Sequence, residues 1–232
     1  MNRSITAPMP RRRVLIFDVE TTGLIPRGAV NIAKCPHILS LSFVIYDLFS
    51  KQIVRKYDSY VKVDDSVEIS EFVINLTGIT REICQTKGNS IIDVLKQFYE
   101  AYMLCEVLVA HNMEFDEKMI LIEIERNRIA ILADAPYCLM IFNETYEKMN
   151  NILRYCTMKN GTSLCNIMFE PKPGETTQVS GRPKYPKLSE LHAKLFDGKV
   201  PDGLHNSMID VFACLRCYLH MQHGFDCGVM VV

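Results

Sequence analysis

The sequence predicts one mixed α/β domain built on a five-stranded sheet. Three observations lead there. The first 63 residues hold three apolar, strand-like segments joined by short connections, the pattern of an antiparallel meander. Beyond residue 70 the apolar spacing becomes that of amphipathic helices, and two further short strands lie among them. No internal repeat, low-complexity tract or Ser/Gly linker interrupts the 232 residues, a length that one large domain can fold around a core.

The elements follow in order. Residues 1–10 read as a flexible tail, ahead of a single domain over 11–223 and a C-terminal tail over 224–232. Arg11, Arg12 and Arg13 enter the first strand, either as a solvated edge or as a phosphate contact. Val14-Leu15-Ile16-Phe17 is a buried apolar run that ends in Asp18-Val19-Glu20 and a Thr21-Thr22-Gly23 turn. A loop with Pro26, Gly28 and Pro36 leads to a second strand over 37–47 and a third over 53–63. Residues 70–76 form a short helix stopped near Gly78, and 91–105 a longer one capped by Asn89 or Ser90. Residues 107–110 are wholly apolar and read as a buried central strand. A helix over 115–128 follows, then a helix around 140–149 within the segment 133–153, then a fifth strand over 154–158. Residues 161–186, rich in Pro, Gly, Thr and Lys, read as a long loop. Its end carries Lys172, Arg182, Lys184 and Lys187, either an electrostatic guide for a polyanion or a solvated surface. Helices over 188–196 and 206–222 close the domain.

Composition narrows the function. A net charge of −1 gives no basic field for coating duplex nucleic acid, although it leaves room for an enzyme that grips a few phosphates locally. Nine cysteines, odd in number and mostly inside apolar runs, point to a reduced intracellular protein, cytoplasmic or nuclear. Cys214 and Cys217 form a CxxC inside a helical pattern with no second pair, which reads as two core thiols and not as a zinc site. No apolar run has the length of a membrane span, and residues 1–10 lack the apolar core of a signal peptide.

The chemistry lies in the acids. Asp18 and Glu20 are two apart on a strand, so both point to one face. Two desolvated carboxylates repel each other, and an oxygen-seeking divalent cation relieves that repulsion; a solvated strand end is the alternative. Asp116 opens a helix just after His111-Asn112 at the end of the fourth strand; there it is either a ligand or an acid favoured by the helix dipole. Asp210 interrupts the apolar face of the last helix, five residues after His205. Four acids converging from three element ends suit two Mg²⁺ or Mn²⁺ ions and phosphodiester hydrolysis, with a histidine to take the proton of the attacking water.

Asp18-x-Glu20-Thr21-Thr22-Gly23, His111-Asn112-x-x-Phe115-Asp116 and His205-Asn206-x-x-x-Asp210 resemble, in order and spacing, the three motifs of the DnaQ-like, DEDDh class of 3′–5′ exonucleases. The resemblance runs from about residue 14 to 218, and Leu76-Thr77-Gly78-Ile79-Thr80 and Tyr155-Cys156-Thr157-Met158 look like weaker signatures of the class. It implies an RNase H-like sheet with helices on both faces and a hydrolase releasing nucleoside 5′-monophosphates. Asp18, Glu20, Asp116 and Asp210 would ligate two Mg²⁺ or Mn²⁺ ions, with His205 as general base. Thr21, Thr22 and Leu24 would meet the terminal nucleotide, Leu24 as a wedge. Asn112 and Phe115 fall at substrate-proximal positions, Phe115 being equally a core residue. The expected substrate is the 3′ end of single-stranded DNA. RNA trimming of the RNase T or oligoribonuclease type is the alternative, and a non-catalytic end-binding module a third reading. The sequence is expected to carry no fused polymerase, helicase or binding domain, in which case a proofreading role would need a polymerase partner in trans.

Overall fold

The computed structural model describes residues 12–28, 31–169 and 183–228. Five strands form one sheet in the order β3-β2-β1-β4-β5. β1 (Arg13–Thr21) runs antiparallel to β2 (Ile38–Asp47), and β2 antiparallel to β3 (Gln52–Tyr60). β4 (Val107–Ala110) is parallel to β1, and β5 (Leu153–Cys156) parallel to β4. Antiparallel neighbours need only hairpin connections, whereas parallel ones need crossovers. The crossover to β4 carries α1 (Glu71–Thr77), α2 (Arg81–Lys87) and α3 (Ile91–Met103), and that to β5 begins with α4 (Met113–Arg126). The mixed five-stranded sheet expected from the sequence is therefore the observed one.

Strand alternation divides the interior in two. Leu15, Phe17 and Val19 join Val94, Leu95 and Phe98 of α3 and Met119 and Ile120 of α4 in one core. The Phe17 and Phe98 rings meet edge to face at 5.2 Å. Val14 and Ile16, on the opposite face, pack with α8 (Leu188–Leu195) and α9 (Ser207–His223). Asp18 and Glu20 continue this even-numbered row, so the pleat delivers both acids toward α9. A third, small core joins Leu39 and Val63 to Val73, Ile79 and Cys84 of the α1–α2 region.

Several boundaries differ from the sequence expectation. β3 ends at Tyr60, and Val61 makes only an isolated bridge to Asn89. α2 was not anticipated: Thr80 caps it by accepting the Ile83 N–H, but its seven residues are too short and polar to show a helical period. The helix over 115–128 breaks at Asn127 into α4 and α5 (Arg128–Asp134). The helix expected around 140–149 is a 3₁₀ turn over Pro136–Met140 followed by α6 (Glu144–Asn150).

The largest difference concerns the fifth strand and the loop after it. β5 stops at Cys156, and α7 (Thr157–Cys165) replaces the first part of the expected loop. Gly161 suggests a helix breaker in sequence, but here it permits close packing: a Cβ at this position would lie 2.7 Å from Leu191 Cδ1 of α8. Residues 170–182, including Lys172 and Arg182, lie outside the described residues, as does the 1–10 tail. At the other terminus, residues 224–228 dock on the domain, with Asp226 bonded to Arg216 at 2.6 Å and Lys51 over the Phe225 ring. All nine cysteines are free, and Cys214 and Cys217 are buried in α9, as core thiols should be. Among the described residues no helix is long and apolar enough to cross a membrane.

Because helix propensity alone favours replacing a mid-helix glycine, Gly161 separates propensity from packing. Gly161→Val is expected to lower stability by about 2 kcal/mol through overpacking against Leu191, as read from urea unfolding midpoints. An unchanged or raised midpoint would show that the α7–α8 contact tolerates a side chain.

Candidate active site

The carboxyl ends of β1 and β4 lie side by side, because Val14, Leu15 and Ile16 pair in parallel with Val107, Leu108 and Val109. Each strand end then turns sharply. After β4, Asn112 adopts a left-handed conformation, φ 67°, which starts α4 and brings Asp116 in its first turn back to β1. The Asp116 carboxylate accepts the Val19 N–H at 3.1 Å, between the two acids of β1, and the residue is only 2% exposed. Ahead of α9, Gly203 and His205 both take positive φ, 75° and 72°. Glycine suits the positive φ at 203, and a Cβ there would lie 2.7 Å from Ile209 Cδ1, which would have to shift. The His205 N–H then donates to Asp210 Oδ2 at 3.2 Å, tying the loop to the helix that follows it.

These turns assemble the five residues marked by the sequence around one cleft of about 500 Å³. Ligand atoms of Glu20, His205 and Asp210 lie within 4.8 Å of one another. His205 is exposed at the mouth, while Asp18 and Asp116 lie deeper. The electrostatics are those of crowded acids without a counter-charge. Burial, then Asp116, Asp210 and Glu20, push the Asp18 carboxyl well above its usual range. Burial and the Asp210 charge raise Glu20 to about 8. Burial raises Asp210 to about 7 against the lowering effect of the His205 N–H. Burial raises Asp116 as well, although it accepts N–H bonds that favour its charged form.

The donor set fits divalent metal ions. All four acids offer hard oxygen ligands, and Asp210 Oδ1 is buried with no hydrogen-bond partner among the described residues. A buried, unpartnered carboxylate oxygen among three like charges is costly unless a cation meets it.

The remaining sequence-marked residues divide. Leu24 is 83% exposed on the rim, and Asn112 and Phe115 line the cleft. Phe115 also packs against the first core, so the one side chain both lines the cleft and belongs to the packing. Thr21 and Thr22 do not line the cleft. The Thr21 hydroxyl donates to the Gly23 carbonyl at 2.7 Å, and the Thr22 hydroxyl accepts the His37 N–H at 3.0 Å. Their side chains brace the turn below Leu24. The loop bearing Leu24 is held from α4: Arg126 donates to the Cys35 and Pro36 carbonyls at 2.9 Å, and Glu123 accepts the Ile38 N–H at 3.2 Å.

The opposite wall, Tyr185 to Ser189, was not marked as a site in sequence apart from Lys187 among the loop cations. Its tie is His111. Burial lowers this imidazole to about 4, so it is neutral. Nε2 lies 3.1 Å from the Pro186 carbonyl, which can only accept, so the proton resides on Nε2. Nδ1 therefore accepts from the Thr157 hydroxyl at 2.9 Å. His111 thus joins the end of β4 to α7 and to the segment preceding α8. Of the loop cations, Lys184 is bonded to Glu190 at 2.7 Å, whereas Lys187 lines the cleft and makes no ion pair among the described residues.

Comparison with known proteins places the chain in a family and a fold. The model of the exonuclease family described as RNase T matches residues 15–218. DNA polymerase III of PolC type from Listeria welshimeri is 35% identical over 101 residues, and that from Listeria innocua 39% identical over 102. Each alignment covers 44% of this chain and 6% of the polymerase, so the chain spans a small fraction of these relatives. Among solved structures, E. coli exonuclease I in complex with a dT13 oligonucleotide superposes with a TM-score of 0.62 at 15% identity, over 92% of this chain and 42% of that one. The zinc-bound complex of the same exonuclease with single-stranded DNA gives 0.60 at 16% identity, over 92% and 41%. At such identities the likeness is one of fold.

The raised carboxyls make a prediction for the metal-free protein. Asp210 and Glu20 hold protons in the folded state up to about 7 and 8, but release them near pH 4 once unfolded. The folded state binds more protons in that interval, so stability falls as pH rises. Between about pH 7.5 and 8.5 the lowered histidines are almost wholly neutral in both states and contribute little. The melting temperature of chelator-treated protein is therefore expected to decrease across this window, and Mg²⁺ or Mn²⁺ to remove most of the slope. A flat profile without metal would contradict the crowding described above.

Proposed function

The chain belongs to the exonuclease family, within the DnaQ-like 3′–5′ exonucleases, and from that premise we propose that it removes nucleotides one at a time from the 3′ end of single-stranded DNA. The convergence of Asp18, Glu20, Asp116 and Asp210 with His205 on one cleft carries this reading. Asp18, Glu20, Asp116 and Asp210 are the residues that would hold two Mg²⁺ or Mn²⁺ ions. Such ions, when bound, lower the pKa of water and offset charge on the leaving oxygen.

The chain's own residues supply the rest. Leu24 stands exposed beside the acids, an apolar rim against which the last base stacks and is separated from its neighbour. Asn112 offers an amide that makes no capping bond to α4 and is free to meet the terminal nucleotide. Lys187 faces the acids across the cleft and attracts a phosphate upstream of the scissile one. His205, exposed and within 4.8 Å of Glu20 and Asp210, takes the proton of the attacking water on an imidazole nitrogen. The water oxygen bonds to phosphorus while the bond to the 3′ oxygen breaks. The products are a nucleoside 5′-monophosphate and a strand one nucleotide shorter whose 3′ oxygen regains a proton from solvent.

The polymerases among the relatives and the oligodeoxynucleotides bound by exonuclease I support DNA over RNA as substrate. The polymerase matches also support an association with a DNA polymerase.

The test is hydrolysis of matched DNA and RNA oligonucleotides with free 3′ ends, with and without Mg²⁺ or Mn²⁺. Wild type is expected to degrade the DNA faster, and only with metal. Asp18→Ala should abolish turnover. His205→Ala should lower kcat by about 100- to 10,000-fold while metal binding persists. Full activity in Asp18→Ala would remove the mechanism, and faster RNA trimming would move the substrate to the oligoribonucleotide class. Lys187→Ala is expected to raise KM and flatten its dependence on salt, with kcat unchanged; an unaltered KM would exclude the phosphate contact.

A further inference from the structure

The start of α9 is tied to the sheet by buried hydroxyls. Ser207, the first residue of the helix, lies 2.7 Å from Ser42 Oγ and 3.0 Å from Ser40 Oγ, and all three residues are at most 3% exposed. Ser42 also donates to Asp58 Oδ1 of β3 at 2.6 Å. Each hydroxyl has one proton, so the direction of the chain is determined. The Ser42 proton goes to the carboxylate. Ser207 must then donate to Ser42, and Ser40 to Ser207. The chain runs Ser40, Ser207, Ser42, Asp58, with every donor used.

Its position in the sheet gives this chain a consequence. Ser42 is the cross-strand partner of Asp18, and Ser40 that of Glu20. Ser207 follows His205 by two residues and precedes Asp210 by three, with Asn206 capping the same turn through the Met208 and Ile209 N–H groups. Apolar packing of Met208 and Val211 holds α9 on the sheet, but such packing is non-directional and permits small shifts along the strands. Hydrogen bonds at 2.6–3.0 Å are directional and do not.

We infer that Ser207 is a positioning residue: through the Ser42–Asp58 chain it sets the register of α9 against β1 and β2, and with it the placement of His205 and Asp210 opposite Asp18 and Glu20. The inference rests on the nuclease reading of the site, and it adds a specific support that neither the acids nor the histidine supplies. Removing the Ser207 hydroxyl frees the first turn of α9 to move relative to the two acids of β1. Both the proton-accepting group and one ligand move with it, whereas Leu24, Asn112 and Lys187 stay in place. The loss therefore falls on turnover and metal affinity, not on substrate affinity.

The experiment uses the full chain and the variants Ser207→Ala, Ser42→Ala, their double mutant, Asp58→Ala and Asp58→Asn. Mn²⁺ affinity by calorimetry and the kcat–KM pair on a DNA oligonucleotide are measured at temperatures where urea titration shows each variant folded. Ser207→Ala is expected to lose about 10- to 100-fold in kcat and a comparable factor in Mn²⁺ affinity, with KM little changed. The double mutant should be no worse than Ser207→Ala, because the two hydroxyls act as one unit. Asp58→Asn keeps a carbonyl acceptor for Ser42 and should stay near wild type, whereas Asp58→Ala should lose part of the affinity. A Ser207→Ala protein with wild-type kcat and Mn²⁺ affinity would overturn the inference, as would effects of Ser42→Ala and Ser207→Ala that simply multiply. Should Ser207→Ala not fold, the exposed Asp58 decides: equal Mn²⁺ affinities for Asp58→Ala and Asp58→Asn would equally overturn it. If wild type hydrolyses no substrate at all, the nuclease reading fails by itself, and the Mn²⁺ titrations still decide whether Ser207 places the ligands.

Discussion

Four carboxyl groups share one desolvated cleft, and the rest of the structure answers to their repulsion. Burial alone raises each of them, and for Asp18, Glu20 and Asp116 the neighbouring acids add to it. A chain folding under hydrophobic forces alone would not collect them. They are held because each stands at the end of an element whose apolar face is fully committed: β1 through Phe17 and Ile16, α4 through Met119 and Ile120, α9 through Val211 and Leu215. Large apolar burial on both faces of the sheet can carry a local electrostatic cost of this kind, and functional sites are where such costs are expected.

The supports around the cleft are unequal. The β1 side is rigid, paired on both edges by β2 and β4 and buried on both faces. Asp116 is fastened to it by the Val19 N–H, so three acids share one frame. Asp210 and His205 arrive on a separate element, preceded by a loop that takes two positive φ values within three residues. Their alignment depends on side-chain ties, namely the Asn206 cap, the His205–Asp210 bond and the Ser207 chain. A site divided between a fixed floor and a tethered helix can admit substrate and metal while keeping most of its ligands in place.

Much of this was legible in sequence, for identifiable reasons. The period-two alternation of Val14 to Glu20 already placed both acids on one face, and an acid in the otherwise apolar face of the last helix marked Asp210. The meander showed as partly alternating, partly apolar segments, and the short central strand as a continuous apolar run. What escaped depends on contacts distant in sequence. Gly161 is indistinguishable from a helix breaker until Leu191, thirty residues later, is seen against it. Ser40 and Ser42 look like polar positions of an exposed strand face, yet the strand is buried throughout and their partner lies more than 160 residues away. His111 was visible as part of a motif, but its neutral state and proton location follow from Pro186 and Thr157, which no local pattern connects to it.

The walls of the cleft also show how a chain of net charge −1 can engage a polyanion. Long-range attraction is absent, so binding must come from short-range contacts at the 3′ end. Leu24 supplies an apolar surface on one rim, and Lys187, which makes no ion pair among the described residues, a cation on the other. Neither is held loosely. The loop beneath Leu24 is pinned by Arg126 and Glu123 of α4, the same helix that carries Asp116, and the Lys187 segment is pinned by His111 at the end of β4. Both rims are therefore referenced to the elements that carry the acids. With little electrostatic guidance from a distance, that shared frame is what, on the proposed function, would fit the cleft to a strand end and not to an interior segment.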